Sequence, residues 1–267
     1  MSQWRSRLGL LRSLLVYRGV PGRRRQLAGF YRQFIGPGDL CFDIGAHVGN
    51  RLQAWLDLGA RVVAVEPQPH LAALLRRWYG YNRKVVLVEQ AVGATPGTGR
   101  IYISQRHPTV SSLSQDWINT VQRTKTFASV QWDTEATVQV TTLDALIAQF
   151  GRPAFCKIDV EGYELEVLGG LSQPLPALSF EAIAPAADLA IACIERLEQL
   201  GCYEYNWSAG EEQKLLSVSW LAPELMMARL RGLAAEKGSG DVYARLQGQN
   251  NITLGPDGSQ QTSTLVP

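Results

Sequence analysis

The stretch Cys41–Asn50, CFDIGAHVGN, decides how the chain is read. Its apolar run, taken back to Leu40, reads as a strand over 40–44, and the glycines at 45 and 49 mark a turn before a helix over 48–58. Outward from it the same unit repeats. RVVAVE (61–66) is a second strand stopped by Pro67, a helix follows over 69–80, and VVLVEQ (85–90) is a third strand. Further on, AFCKID (154–159) is the strongest strand, followed by helix 162–171, strand 177–182 and a helix over 186–200 that stops at Gly201. Strands at 202–207 and 241–246 complete the set. Short β-branched runs alternating with helical patterns imply βαβ units and a parallel α/β sheet in a Rossmann-like arrangement.

Two insertions interrupt this rhythm. Residues 100–141 hold RIYIS and TVQVT, an expected antiparallel pair, around the polar loop QRHPTVSSLSQDW. Thr141 and Asp144 fit a capping box for a helix over 142–150. The second insertion, 222–237, has proline at a helix start. The loop 104–136 and this helix are expected to act as lids and to build the acceptor pocket. Residues 4–35 read as basic amphipathic helix, broken at GVPG before a second helix near 23–34. The domain is therefore placed at 36–246, after a basic arm over 1–35 and before a polar, disordered tail over 247–267.

The 267 residues are 46% hydrophobic, enough for one large core. Lysine and arginine number 26 against 24 acids, which gives no general argument for nucleic acid. The distribution is uneven: residues 1–35 carry eight arginines and no acid, leaving 18 against 24 for the rest. A cap over the sheet and a membrane-surface or acidic-partner arm are both open readings of that segment. Cys41, Cys156, Cys193 and Cys202 show no paired spacing, as expected for reduced thiols in the cytoplasm. The leading LGLLRSLLVY is broken by Arg12 and lacks a small-residue cleavage site, so neither a signal peptide nor a membrane span is expected.

Ligands of an open α/β sheet bind beyond the carboxyl ends of its strands. A dinucleotide turn there is G-x-G-x-x-G, whose backbone amides cradle pyrophosphate. Here the pattern is D-x-G-x-x-x-G, and Asp43 would repel a phosphate in a partly desolvated cleft. A cationic, phosphate-free nucleoside is attracted instead, which points to S-adenosylmethionine. Gly45 lets the backbone approach such a ligand, Gly49 lets the next helix pack on the strand, and Ala46, His47 and Asn50 complete the loop. Glu66, closing the second strand, can accept both ribose hydroxyls, and Gln90 and Ala91 can border the adenine. Each has a structural alternative as a cap, a strand end or a loop residue; together they sit on three successive strand ends.

DIGAHVGN, VEPQP, QAVG, TTLDALI, KIDVEGYELEVLGG, NWS…SWLAPEL and GDVYAR, running from about Gly36 to Leu246, resemble the FkbM family of S-adenosylmethionine-dependent methyltransferases. The resemblance implies a class I methyltransferase fold: a mostly parallel seven-stranded sheet, its last strand antiparallel, with helices on both faces. It also implies O-methylation of a sugar, glycan or secondary-metabolite hydroxyl. His47 departs from the family, which more often has asparagine there.

An alcohol that attacks a methyl group must lose its proton, which calls for a base. Lys157 and Asp159 share one strand face, and Asp159 stands at the cofactor end. Asp159 is either that base or half of an ion pair with Lys157. Glu161 and Glu181 are either acids that raise its pKa or, for Glu161, a helix cap. His107 in the insertion is another candidate base, and Ser111 and Ser112 can touch cofactor or acceptor from the same loop. Three dispersed histidines give no metal-like spacing, although Asp159, Glu161 and Glu181 can converge around a divalent ion. N-methylation is less supported, because no N-P-P-Y-type motif follows the fourth strand. A non-catalytic scaffold, docked by the basic arm, is opposed by intact motifs on three strand ends.

Overall fold

The computed structural model describes residues 22–210, 212–236 and 238–248, the side chains of 234–236 aside. The first part of the basic arm and all but the first two residues of the tail lie outside the described residues. In chain order the elements of the first half are α1 (Arg23–Tyr31), β1 (Leu40–Ile44), α2 (Leu52–Asp57), β2 (Arg61–Val65), α3 (Pro69–Tyr79), β3 (Val85–Val88), β4 (Ala91–Val92), β5 (Gly97–Ile103) and α4 (Gln115–Val121). The second half has β6 (Thr134–Thr141), α5 (Leu143–Phe150), β7 (Phe155–Ile158), α6 (Glu164–Gly169), β8 (Ala177–Ile183), α7 (Ala187–Glu198), β9 (Tyr203–Ala209), α8 (Pro223–Glu236) and β10 (Ser239–Leu246).

Seven strands form one sheet in the order β3-β2-β1-β7-β8-β10-β9. The first five are parallel to their neighbours, and β10 enters antiparallel between β8 and β9. β1 and β7 are buried on both faces, which is why they read as continuous apolar runs rather than alternating ones. One face packs against α5 to α8 and the other against α1 to α3, so helices cover both. α1 inserts Leu27, Phe30 and Tyr31 into the second of these cores. This is the class I methyltransferase architecture. No helix among the described residues is long and apolar enough to cross a membrane.

Three local expectations shift. α2 begins at Leu52 rather than at 48, because His47 (φ 48°) and Gly49 (φ 68°) adopt left-handed backbone that a helix excludes. β3 stops at Val88, and the chain passes through Gln90 into β4, which pairs with β6 in a second sheet of order β4-β6-β5. The antiparallel β5–β6 pair is the one expected. The cap of α5 is Thr142, whose hydroxyl accepts from the Ala145 amide at 3.1 Å. Thr141 is spent on the ladder opposite Val92, and Asp144 accepts from the Ser172 amide instead of closing a box.

Candidate active site

The carboxyl ends of β1, β2 and β7 surround a cleft that encloses about 510 Å³ of empty space, part of it open solvent. Gly45 and His47 line it after β1, Glu66 and Gln68 after β2, Gln90 and Ala91 after β3, and Asp159 and Glu161 after β7. Pro108 and Thr109, in the short 3₁₀ turn Pro108–Val110, close it.

Glu66 is buried, and its two carboxylate oxygens accept the amides of His47 (2.8 Å) and Gln68 (2.9 Å). Burial lifts its pKa to about 7 against the pull of these bonds. Glu66 thereby ties the turn after β1 to the turn after β2, and each oxygen keeps a further lone pair, enough to accept from a vicinal diol. The loop before α4 is anchored to the same point. Gln68 Nε2 donates to the Pro108 carbonyl at 3.3 Å, and Ser111 Oγ donates to Gln68 Oε1 at 3.1 Å.

Gly45 has φ 84°, and a Cβ there would stand 1.9 Å from the Asp159 carbonyl oxygen. Glycine is required because the end of β7 crosses over this turn, in addition to any ligand. Burial lowers the His47 pKa to about 4, so its imidazole is neutral at physiological pH.

Asp43 does not line the cavity. The pleat of β1 places it on the face of Cys41, fully buried, opposite Lys157 in register. Neither carboxylate oxygen has a hydrogen-bond partner among the described residues. Burial raises its pKa to about 6; Arg51 and Lys157 pull it down and Asp159 pushes it up. Asp43 therefore stands behind the cavity wall, whereas the sequence places it in contact with the ligand. Ala46, Gly49, Asn50 and Ser112 also stand behind the wall. Ala46 is core, Gly49 meets Leu75 and Tyr79 of α3, Asn50 Oδ1 accepts the Arg51 amide, and Ser112 Oγ donates to the Glu161 carbonyl at 2.6 Å. His107 precedes the 3₁₀ turn and does not line the cavity.

At the other end, Asp159, Glu161 and Glu181 each bring a carboxylate oxygen within 4.8 Å of the others. Lys157 is fully buried, with Nζ 2.8 Å from Asp241 Oδ1 and 3.5 Å from Asp159 Oδ2. Arg51 adds a second cation 3.3 Å from Asp159 Oδ2. Burial alone would raise the Asp159 pKa; Lys157 and Arg51 outweigh it and hold it below the ordinary value. Burial of Lys157 is likewise outweighed by Asp159 and Asp241, which keep it charged. Glu161 and Glu181 go the other way. Burial lifts Glu161 well above the usual carboxyl range, with Glu181 and Asp159 adding to it; burial and Asp159 do the same to Glu181. Glu161 sits at φ 55° and does not cap α6, which has no side-chain cap; Glu164, the first residue of α6, reaches back so that its Oε1 accepts the Val160 (3.1 Å) and Gly162 (3.3 Å) amides of the preceding turn. The side chain of Glu161 is thus released toward Asp159 and Glu181.

The FkbM domain model of methyltransferases matches residues 43–188, more than half of the chain and all of the strand ends just described. The chain belongs to the FkbM methyltransferase family. It is an S-adenosylmethionine-dependent methyltransferase with S-adenosylmethionine as cofactor. No curated protein sequence matches it. Among solved structures, precorrin-6Y C5,15-methyltransferase from Geobacter metallireducens is 13% identical, with 83% of this chain and 87% of that one covered at a TM-score of 0.42. Fibrillarin from Aeropyrum pernix, with natively bound S-adenosylmethionine, is 10% identical over 79% and 68%, TM-score 0.42. An S-adenosylmethionine-dependent O-methyltransferase from Thermotoga maritima is 11% identical over 85% and 65%, TM-score 0.39. Likenesses this distant carry no argument about activity.

The residues of this methyltransferase fit its cofactor. Asp159, Glu161 and Glu181 meet at this end of the cavity, and the two glutamates, unpaired with either Lys157 or Arg51, offer carboxyl groups that a cationic ligand would favour in their ionised form. Arg51, Gln68, Glu164 and Asp241 were not singled out in the sequence.

Proposed function

We propose that this methyltransferase acts on a hydroxyl of a sugar, glycan or secondary metabolite, with the Glu161–Glu181 pair taking the hydroxyl proton. When bound, the cofactor supplies a methyl group on a positively charged sulfur. Glu66 accepts the ribose diol, Gln90 and Ala91 border the adenine, and Gly45 with neutral His47 faces the methionine end. Asp43 adds a favourable field from behind the turn.

The observation that carries the reading is the opposite charging of neighbours. Asp159, ion-paired twice, stays ionised and is a weak base. Glu161 and Glu181, crowded against it and each other, hold protons at higher pH, which suits a group that must receive one. An oxygen lone pair of the acceptor forms the new O–C bond while the cofactor's sulfur–methyl bond would break with its electrons left on sulfur; the hydroxyl proton passes to a carboxylate oxygen of the pair, and the O–H electrons stay on oxygen. An amine attacks with its free lone pair and needs no such base, so the pair favours oxygen over nitrogen. The free cysteines, three of them buried, suit a reducing compartment, and we place the enzyme in the cytoplasm.

The test is transfer of labelled methyl from S-adenosylmethionine to a panel of hydroxylated and aminated acceptors. Transfer to hydroxyls that Glu161→Gln and Glu181→Gln abolish supports the reading; transfer to amines alone overturns it. Activity is expected to survive EDTA. Loss in EDTA with recovery in Mg²⁺ would replace the shared proton by a cation between the three carboxylates.

A further inference from the structure

A second cleft adjoins that of the cofactor. It is walled by α4, by the turn after β7 with the start of α6, and by the 3₁₀ turn Ala184–Ala186 with the start of α7. It encloses about 1150 Å³ of empty space, part of it open solvent. Leu113 and Tyr163 line both clefts, so the two share a wall. The chain segments that carry the Glu161–Glu181 pair run on into the second cleft. Gly162 and Tyr163 follow Glu161 directly, and Pro185 and Ala186 follow Glu181 just past the end of β8. The cleft is thus continuous with the groups that take part in methyl transfer.

Its lining is of two kinds. Leu113, Tyr163, Leu165 and Leu189 are half-buried and give it an apolar base. Asp116, Glu166 and Asp188 are exposed around that base. No lysine, arginine or histidine lines it; Arg123 and Lys125 follow α4 beyond its last turn and are not part of the cleft. On other surfaces Asp57, Glu89, Glu135 and Glu204 are each ion-paired with an arginine. The three carboxylates of this cleft have no ion pair and no side-chain hydrogen bond among the described residues. Each stands in the first turn of its helix, where it also complements the helix dipole. A dipole end amounts to about half a charge, so three full charges leave the cleft negative. Burial and the nearby Glu166 together raise the Tyr163 phenol above its ordinary pKa. Unpaired acids over an apolar base suit a ring that lays its C–H face on the leucines and carries an ammonium group. A neutral ring makes no use of the acids, and an acidic one is repelled.

We propose, on the reading that methyl goes to a hydroxyl, that this cleft binds the acceptor and that the acceptor is an amino sugar or a glycoside of one. Its ammonium is held by Asp116, Glu166 and Asp188 while a hydroxyl reaches the Glu161–Glu181 pair. An ammonium has no free lone pair, so transfer still goes to oxygen. Calorimetry on the full chain, with S-adenosylhomocysteine present at neutral pH, compares glucosamine, its tetramer and a 2-deoxystreptamine glycoside with their N-acetylated forms. Acetylation keeps the hydroxyls and removes the charge. At least one amine form is expected to bind about tenfold tighter than its acetylated counterpart, the gap narrowing as salt rises. Asp116→Asn, Glu166→Gln and Asp188→Asn each weaken the amine form about threefold, and together about tenfold. Because all three positions are exposed, unchanged circular dichroism separates lost binding from lost folding. Equal or tighter binding of every acetylated form, no binding of any, or indifference to the triple substitution overturns the proposal. Labelled-methyl transfer to the same compounds separates it from the hydroxyl reading. Amine-dependent binding without transfer to oxygen supports the cleft and overturns that reading; equal transfer to the oxygens of both forms does the reverse.

Discussion

Asp159 and Glu161 stand two residues apart on one strand end, and their surroundings push them in opposite directions. Lys157 and Arg51 reach Asp159; nothing of positive charge is paired with Glu161 among the described residues. The rate therefore follows the protonation of the Glu161–Glu181 pair, whose apparent pKa values belong to both residues. A base must be unprotonated to act, so kcat/KM is expected to rise with pH through a limb displaced above the ordinary carboxyl range, and Glu161→Gln should remove that limb. The same substitution should lower kcat by about 10²–10⁴ and leave cofactor binding nearly unchanged. A profile that is flat from acid to neutral pH would sink the assignment. At Glu66 the expected loss is in binding. Glutamine can accept only one of the two amides held by the carboxylate, leaving the other unpaired at a cost of about 1–3 kcal/mol. Calorimetry on Glu66→Gln should show cofactor affinity reduced about tenfold, with kcat at saturation less affected.

Between elements, α4 also closely approaches the turn after β7. Gly162 lies at φ 87°, and a Cβ there would stand 2.0 Å from Cγ of Trp117, which is buried against Phe127 and Trp132. Gly162→Ala must displace α4 and adopt a backbone that alanine resists, so a loss of about 2–4 kcal/mol in stability is expected. The displaced α4 also shifts the 3₁₀ turn that closes the cavity. Acceptor and cofactor KM should both rise, and a variant with unchanged melting temperature and KM would refute the coupling. This contact shows what the sequence could and could not display. The strand ends were legible because strands buried on both faces are uninterrupted apolar runs, and their order places Glu66, Asp159 and Glu181 without further knowledge. The start of α2 was not, because left-handed backbone at His47 is a property of the folded turn. Nor was Asp241, which lies 84 residues from Lys157 and meets it only when β10 inserts beside β8. Arg51 was hidden for the same reason, and a two-residue strand such as β4 has no periodicity to detect.

Over the whole molecule, buried acids set how stability responds to pH. Burial raises Asp43 from 3.8 to about 6, and Glu66 and Glu164 from 4.5 to about 7; Glu161 and Glu181 shift the same way. Between the lower and upper values the folded chain keeps protons that the unfolded chain has released, so stability falls as pH rises through this window. His47, lowered by burial from 6.5 to about 4, and His70, lowered too, act in the opposite sense over part of it. Asp159, held below 3.8, gives stability that is lost only in stronger acid. Five acids against two histidines fix the net direction. Without cofactor the melting temperature should be higher near pH 5 than near pH 7.5, each uncompensated kcal/mol corresponding to about 2–4 °C in a domain of this size. Saturating S-adenosylmethionine stabilises the fold by mass action, and its positive charge favours the ionised acids, so the gain should be larger at the higher pH and the difference should narrow. A melting temperature that climbs from pH 5 to pH 7.5 without cofactor, or a cofactor-induced shift equal at both, would show that these acids are not left uncompensated in the folded chain.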